Sequence, residues 1–202
     1  MSKTALFKAV KQWDAAETRR LLSEQPTLVK AVDNSGRTAL HLCAGRPLQE
    51  RPGESAASLA TARVLLDAGA ELDAVQPIPD DGEIFPATPL WYAVARGRNP
   101  QLVKLLLKLG ATPDHSLWAT AWSNDAELAR LLLRAGARTD LRFGGETPLV
   151  YAARLGREPV IRELLAGKAS IHVKDSQGRT PYELARKKRV SAPLLAKLDP
   201  HT

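Results

Sequence analysis

One phrase, repeated, constrains this chain more than any other feature. It occurs as Gly36-Arg37-Thr38-Ala39-Leu40-His41-Leu42-Cys43-Ala44, Ala87-Thr88-Pro89-Leu90-Trp91-Tyr92-Ala93, Gly145-Glu146-Thr147-Pro148-Leu149-Val150-Tyr151-Ala152 and Gly178-Arg179-Thr180-Pro181-Tyr182-Glu183-Leu184-Ala185. A second phrase follows it as Val64-Leu65-Leu66-Asp67-Ala68-Gly69-Ala70, Leu105-Leu106-Leu107-Lys108-Leu109-Gly110-Ala111 and Glu163-Leu164-Leu165-Ala166-Gly167-Lys168-Ala169. A further copy, Leu131-Leu132-Leu133-Arg134-Ala135-Gly136-Ala137, follows an eroded first half, Ser116-Leu117-Trp118-Ala119-Thr120-Ala121. Thr before Pro marks a helix start, because Thr caps free N–H groups and Pro at the first helical position loses no hydrogen bond. Apolar residues then recur at helical spacing. Gly97 and Gly156 are expected to close the first helix in left-handed conformations, and Gly69, Gly110 and Gly136 the second. A lone helix pair cannot bury its apolar face, so such units must stack into a solenoid.

This pattern resembles the ankyrin repeat, whose mark is Thr-Pro-Leu-His-x-Ala at a period of about 33 residues. Thr147 and Thr180 lie 33 residues apart. The resemblance implies an all-α ankyrin-repeat solenoid of stacked helix-turn-helix units with short β-hairpin fingers, about four repeats plus capping helices. Along the chain the expected units are an N-terminal cap at 1–32, a first repeat with an insertion at 33–73, and a second repeat with an enlarged finger at 74–114. A shortened third repeat at 115–140, a fourth at 141–174 and a C-terminal cap at 175–202 complete a single domain.

Departures from the period carry information too. Thr38 and Thr88 are 50 residues apart. The excess falls near 46–54, between the first repeat's helices, and in the finger at 75–86. Leu105 and Leu131 are only 26 residues apart, so the next finger is nearly absent. The signature His survives once, as His41, with Trp91, Leu117, Val150 and Glu183 as the expected counterparts.

Chemistry is hard to find in this sequence. The four histidines, His41, His115, His172 and His201, form no motif at metal-ligand spacing. His41 is expected to be a structural helix-start residue. A single cysteine, Cys43, excludes an intramolecular disulfide and falls where a small buried residue is expected, so it reads as an inert thiol. There is no Gly-Lys-Ser/Thr phosphate loop. A small-molecule site in the irregular third repeat would have to use Asp114, His115 and Asn124. The expectation is therefore no enzyme, no cofactor and no metal.

The resemblance instead implies an interaction module, an adaptor or inhibitor that holds a partner protein in a concave groove lined by helix ends and finger tips. Carried onto this sequence, the partner-binding residues are Trp122, Arg96, Arg154, Leu155, Phe143, Phe85, Ile84, Arg37, Arg179 and Lys187. Trp122 stands out, because its position normally faces solvent and its repeat has lost the finger that would cover it. Trp and Arg are enriched at interface hot spots. The competing reading is that the loop at 75–86 folds over Trp122, with Phe85 or Ile84 as cover. Trp91, Tyr92, Trp118 and Tyr151 are expected in the core or half-buried wall.

Charge bears on the partner. The chain carries a net +7, but residues 1–90 hold −2 and residues 91–202 hold +9. Asp80, Asp81 and Glu83 make the large finger acidic, and Arg186-Lys187-Lys188-Arg189 is the densest basic run. A solvated helix end explains that run, and so does a docking patch for an acidic partner. Nucleic-acid or polyanion association through the basic half is the alternative function, although no aromatic or Gly-rich interleaving accompanies the run. No apolar stretch approaches the roughly 18 residues of a membrane span, and the polar opening residues suggest no signal peptide. The expectation is a cytoplasmic monomer.

Overall fold

A computed structural model describes residues 2–49, 51–80 and 82–201. Asp81 of the acidic finger, and Glu50 in the expected insertion, lie outside the described residues. Twelve α-helices and one two-stranded hairpin occur among the described residues. The helices form six consecutive pairs: α1 (Lys3–Gln12) with α2 (Ala15–Glu24), α3 (Ala39–Ala44) with α4 (Glu54–Asp67), and α5 (Pro89–Tyr92) with α6 (Pro100–Lys108). They continue as α7 (Ser116–Ser123) with α8 (Ala126–Arg134), α9 (Pro148–Leu155) with α10 (Glu158–Ala166), and α11 (Pro181–Lys187) with α12 (Ala192–Leu198). The hairpin joins β1 (Gln76–Asp80) to β2 (Glu83–Ala87). Compactness divides the chain into a first unit, Met1–Ile78 with Pro86–Thr112, and a second, Pro79–Phe85 with Pro113–Thr202.

Capping follows the repeated phrase. The side chains of Thr38, Thr88, Thr147 and Thr180 each accept from the backbone N–H three residues on. Each cap satisfies a donor that the first helical turn leaves free. Glu183 completes a reciprocal capping box with Thr180. His41 does the same with Thr38: its Nδ1 accepts the Thr38 N–H at 3.1 Å. That leaves Nε2 to donate to the Ala87 carbonyl at 3.2 Å, tying the first repeat to the second. Burial holds the His41 pKa below the usual imidazole range.

Core positions come from the apolar stripes. In the first unit, Leu40, Leu65, Leu90, Leu102 and Leu106 are fully buried, and in the second Leu117, Leu128, Leu132, Leu149 and Ile161. Tyr92 and Trp118 are buried, Trp91 and Tyr151 half-buried. Gly69, Gly110, Gly136 and Gly156 take positive φ as required.

Gly97 does not. After α5 the backbone widens into a π-helical turn, Ala93–Gly97, and Arg98 takes the left-handed conformation. Gly97 is needed for another reason. A Cβ there would collide with the Ala44 carbonyl oxygen, and the Gly97 carbonyl accepts the Leu48 N–H at 3.0 Å. Close backbone approach, rather than backbone handedness, selects glycine at this position.

The third repeat is shifted by one residue from the expected register. The bounds of α7 and α8 match those of α9 and α10 at a constant offset of 32 residues. Trp118 therefore takes the slot of the signature His, and Leu117 that of Leu149. No side chain caps α7, because His115 occupies the Thr position.

Candidate functional site

The exposed first-helix ends and finger tips of each unit form the candidate surface. In the first unit the two sequence-predicted residues are Arg37 and Arg96. Arg37 is bound up in its own turn: Asp33 accepts from the Ser35 and Arg37 backbone N–H groups and from Arg37 Nε. Arg96 is exposed, with its guanidinium 5.7 Å from the centre of the Tyr92 ring.

The second unit holds the other eight. Trp122 is 67% exposed, and its indole makes no hydrogen bond or ring contact among the described residues. Ile84 is 66% exposed. Phe85 is not a finger-tip contact: it is only 7% exposed. Its ring packs edge-on against Phe143 at 4.9 Å and against His115 at 5.9 Å between centroids. It therefore covers the third repeat's start and leaves Trp122 open. Alternation along β2 explains the split, since successive side chains of a strand face opposite ways: Ile84 outward, Phe85 inward.

Arg154 binds Glu146 through two hydrogen bonds, 2.6 and 2.9 Å, and lies 4.9 Å from the Tyr151 ring centre. Leu155 and Phe143 are half-buried, and Lys187 is exposed at the end of α11. Arg179 repeats the Arg37 arrangement: Asp175 accepts from the Gln177 and Arg179 backbone N–H groups and from Arg179 Nε. Desolvation opposes the Asp175 charge, but these hydrogen bonds outweigh it and hold its pKa below the usual carboxylate range. The paired motif Asp-x-x-Gly-Arg, at 33–37 and 175–179, was present in the sequence as a turn signal. It makes these two arginines structural members of their fingers.

Residues with chemical potential are occupied in the fold. Burial pushes the Cys43 thiol up to about 12, so it is not a nucleophile at neutral pH. Asp114 accepts the Arg138 backbone N–H at 2.9 Å, and Asn124 is the left-handed C-cap of α7. His115 stacks on Trp118 at 6.2 Å. Two buried polar atoms, Ser116 Oγ and Trp118 Nε1, have no hydrogen-bond partner among the described residues. Both sit where the repeat lost its Thr cap and its His. Among the described residues, no group of three or more His, Cys, Asp or Glu side chains is placed to hold a metal. No described helix is long and apolar enough to cross a membrane.

Comparison with known proteins places these features in a family. Models of ankyrin repeats match residues 87–116 as one repeat and 116–197 as a three-copy array. The chain is 27% identical over 182 residues to a transient receptor potential cation channel subfamily A member 1 homolog from Caenorhabditis elegans. That match takes in 90% of this chain but only 11% of the relative. Among solved structures, the ankyrin repeat protein EF0377 is 24% identical with a TM-score of 0.71, covering 98% of this chain and 97% of that one. An ankyrin repeat domain from Acinetobacter baumannii AYE is 25% identical at the same TM-score, with 98% and 96% coverage. The ankyrin repeat domain of Bcl-3, of the IkappaB family, is 23% identical with a TM-score of 0.63, covering 96% and 97%.

Proposed function

This chain belongs to the ankyrin repeat family, and from that premise we propose that it is a non-enzymatic adaptor or inhibitor which holds a partner protein on its exposed helix ends and finger tips. Ankyrin repeats are generally protein–protein interaction modules. The observation that carries the reading here is Trp122. A large aromatic side chain two-thirds open to solvent forfeits the burial that stabilises most tryptophans, and exposed apolar surface of this kind marks interaction sites. Ile84, nearly as open, is its counterpart on the enlarged finger.

The proposed anchor residues are Trp122 and Ile84, with Phe143, Leu155, Arg154, Lys187, Arg96, Arg37 and Arg179 as supporting contacts. Three of the arginines are already paired, so a partner carboxylate would have to share them with Glu146, Asp33 or Asp175. They contribute less than free cations would. The proposed setting is the cytoplasm, with the chain acting as a monomer.

Affinity capture from a lysate of the source organism tests this reading, with wild type and Trp122→Ala compared at low and high salt. The expected outcome is a protein retained by wild type at high salt and lost with Trp122→Ala, while the variant's unfolding free energy stays within about 0.5 kcal/mol of wild type, as for an exposed site. Material retained only at low salt, and equally by both forms, would mean polyanion trapping by the basic half and would remove the support for Trp122.

A further inference from the structure

The acidic balance of residues 1–90 conceals a basic face. Helix α1 carries Lys3, Lys8 and Lys11 and no carboxylate. Thr4, Phe7, Lys8 and Lys11 recur three or four residues apart and so share one side of the helix, while Leu6, Ala9 and Val10 are buried. That side of α1 and the loop at 33–37 line an open depression of about 710 Å³. An adjoining depression of about 310 Å³ shares Lys11 and Arg37 and adds Arg46 and Arg96.

Counter-charge is scarce here. The carboxylate lining the larger depression is Asp33, already engaged by Arg37. Arg46 pairs with Glu54. Among the described residues, no carboxylate pairs with Lys3, Lys8, Lys11 or Arg96. Of the first unit's other acids, Glu17 and Glu24 hold Arg20, Asp14 accepts the Glu17 backbone N–H, and Asp73 accepts from the Thr112 backbone and hydroxyl. Gathering like charges around a concave surface raises the folded state's self-repulsion, and it focuses a positive potential into the depression.

We propose that this depression is a docking site for an extended acidic segment of a partner protein, whose Asp or Glu side chains meet Lys3, Lys8, Lys11 and Arg96. The proposal rests on the reading of the chain as a protein-binding module. The lengths agree: Lys3 to Lys11 spans about 12 Å at ~1.5 Å per helical residue. Alternate side chains of an extended peptide recur about every 6.6 Å, so three of them span about 13 Å. Gln12, Asn34 and Ser35 are exposed at the rim and offer amide and hydroxyl groups to a peptide backbone. Single-stranded nucleic acid is matched less well. It uses open aromatic faces for base stacking, and the rings lining these depressions, Phe7, His41 and Tyr92, are buried in their walls.

Fluorescence polarisation on the full chain tests the proposal, using a labelled decapeptide of alternating Glu and Thr. Its Gln-for-Glu version and a labelled decathymidylate serve as comparisons. The Glu peptide is expected to bind, to weaken with salt, and to lose roughly tenfold or more in affinity with Lys8→Glu/Lys11→Glu. Arg134→Glu/Lys197→Glu makes the same net-charge change outside the depression and is expected to stay within about twofold of wild type. If charge reversal on α1 shifts the melting midpoint, Lys8→Gln/Lys11→Gln provides the milder version. The proposal is overturned by absence of Glu-peptide binding, by equal binding of the Gln peptide, by equal losses in the two charge-reversal variants, or by decathymidylate binding as tightly as the Glu peptide. A Trp122-dependent partner found alongside a failed peptide titration removes this site alone. Peptide binding without such a partner removes the Trp122 reading alone.

Discussion

The loops that lead into the second and third repeats are built differently. The first is a full hairpin, β1 with β2; the second, at 111–115, is a bare connection. Yet the surface beside the short loop is not left open. The outer part of the hairpin, Pro79–Phe85, groups with the second unit. Its Phe85 ring packs on His115 and Phe143, and Glu83 accepts the Gly144 N–H at 3.1 Å. The long finger thus supplies apolar cover that the missing finger would have given. Lengthening in one place and loss in the other form a single structural adjustment.

The largest effect to expect tests whether the repeat behind the short loop is a full member of the core. Leu132 on α8 is fully buried, and Leu132→Ala is expected to destabilise by roughly 2–5 kcal/mol, the range for truncating a buried leucine. Urea unfolding followed by circular dichroism measures it. An unchanged midpoint would mean that the third repeat is loosely held and that the hairpin does not compensate for the lost finger.

The next effect sets two neighbours on one strand against each other. Phe85→Ala is expected to cost about 3 kcal/mol, the low end for a buried aromatic because the site lies in a loop. Ile84→Ala, at a position 66% exposed, is expected to stay within about 0.5 kcal/mol. Similar losses from both would erase the inside–outside distinction and return Phe85 to the candidate partner surface.

These contrasts also show what was readable in the sequence. Helix starts were readable because a Thr cap and a first-turn Pro act within one turn of the chain. The arginines of 33–37 and 175–179 could have been recognised as turn-bound, since their Asp partners lie four residues away. Burial of Phe85 could not, because its partners lie at 115 and 143 and the contact depends on how the finger folds back. The register of α7 was misread because the repeat lost the two residues that mark it, the Thr cap and the His. The basic face on α1 was hidden in a segment total, as charge along the chain says nothing about which surface each charge occupies.

The smallest effect distinguishes two histidines in these contrasting settings. Burial lowers the pKa of His41, assisted by Arg37 and opposed by hydrogen bonds to backbone carbonyls and by Asp33. Burial also lowers that of His115, against the pull of Asp114. A folded-state pKa below the ordinary value near 6.5 means that the unfolded chain takes up the proton first as pH falls. Stability is then fully present above that ordinary value and declines below it, until the folded-state pKa is reached. Each group can contribute at most about 1.4 kcal/mol per pH unit. Unfolding midpoints measured from pH 7.5 downward are expected to fall through this window, with a shallower slope in His41→Gln than in wild type. His41 is the more deeply buried of the two and holds the link to Ala87, so His115→Gln is expected to flatten the slope less. If His115→Gln removes more of the pH dependence, the aromatic cluster under the hairpin is the drier environment, and the finger seals the third repeat better than the signature His seals the first.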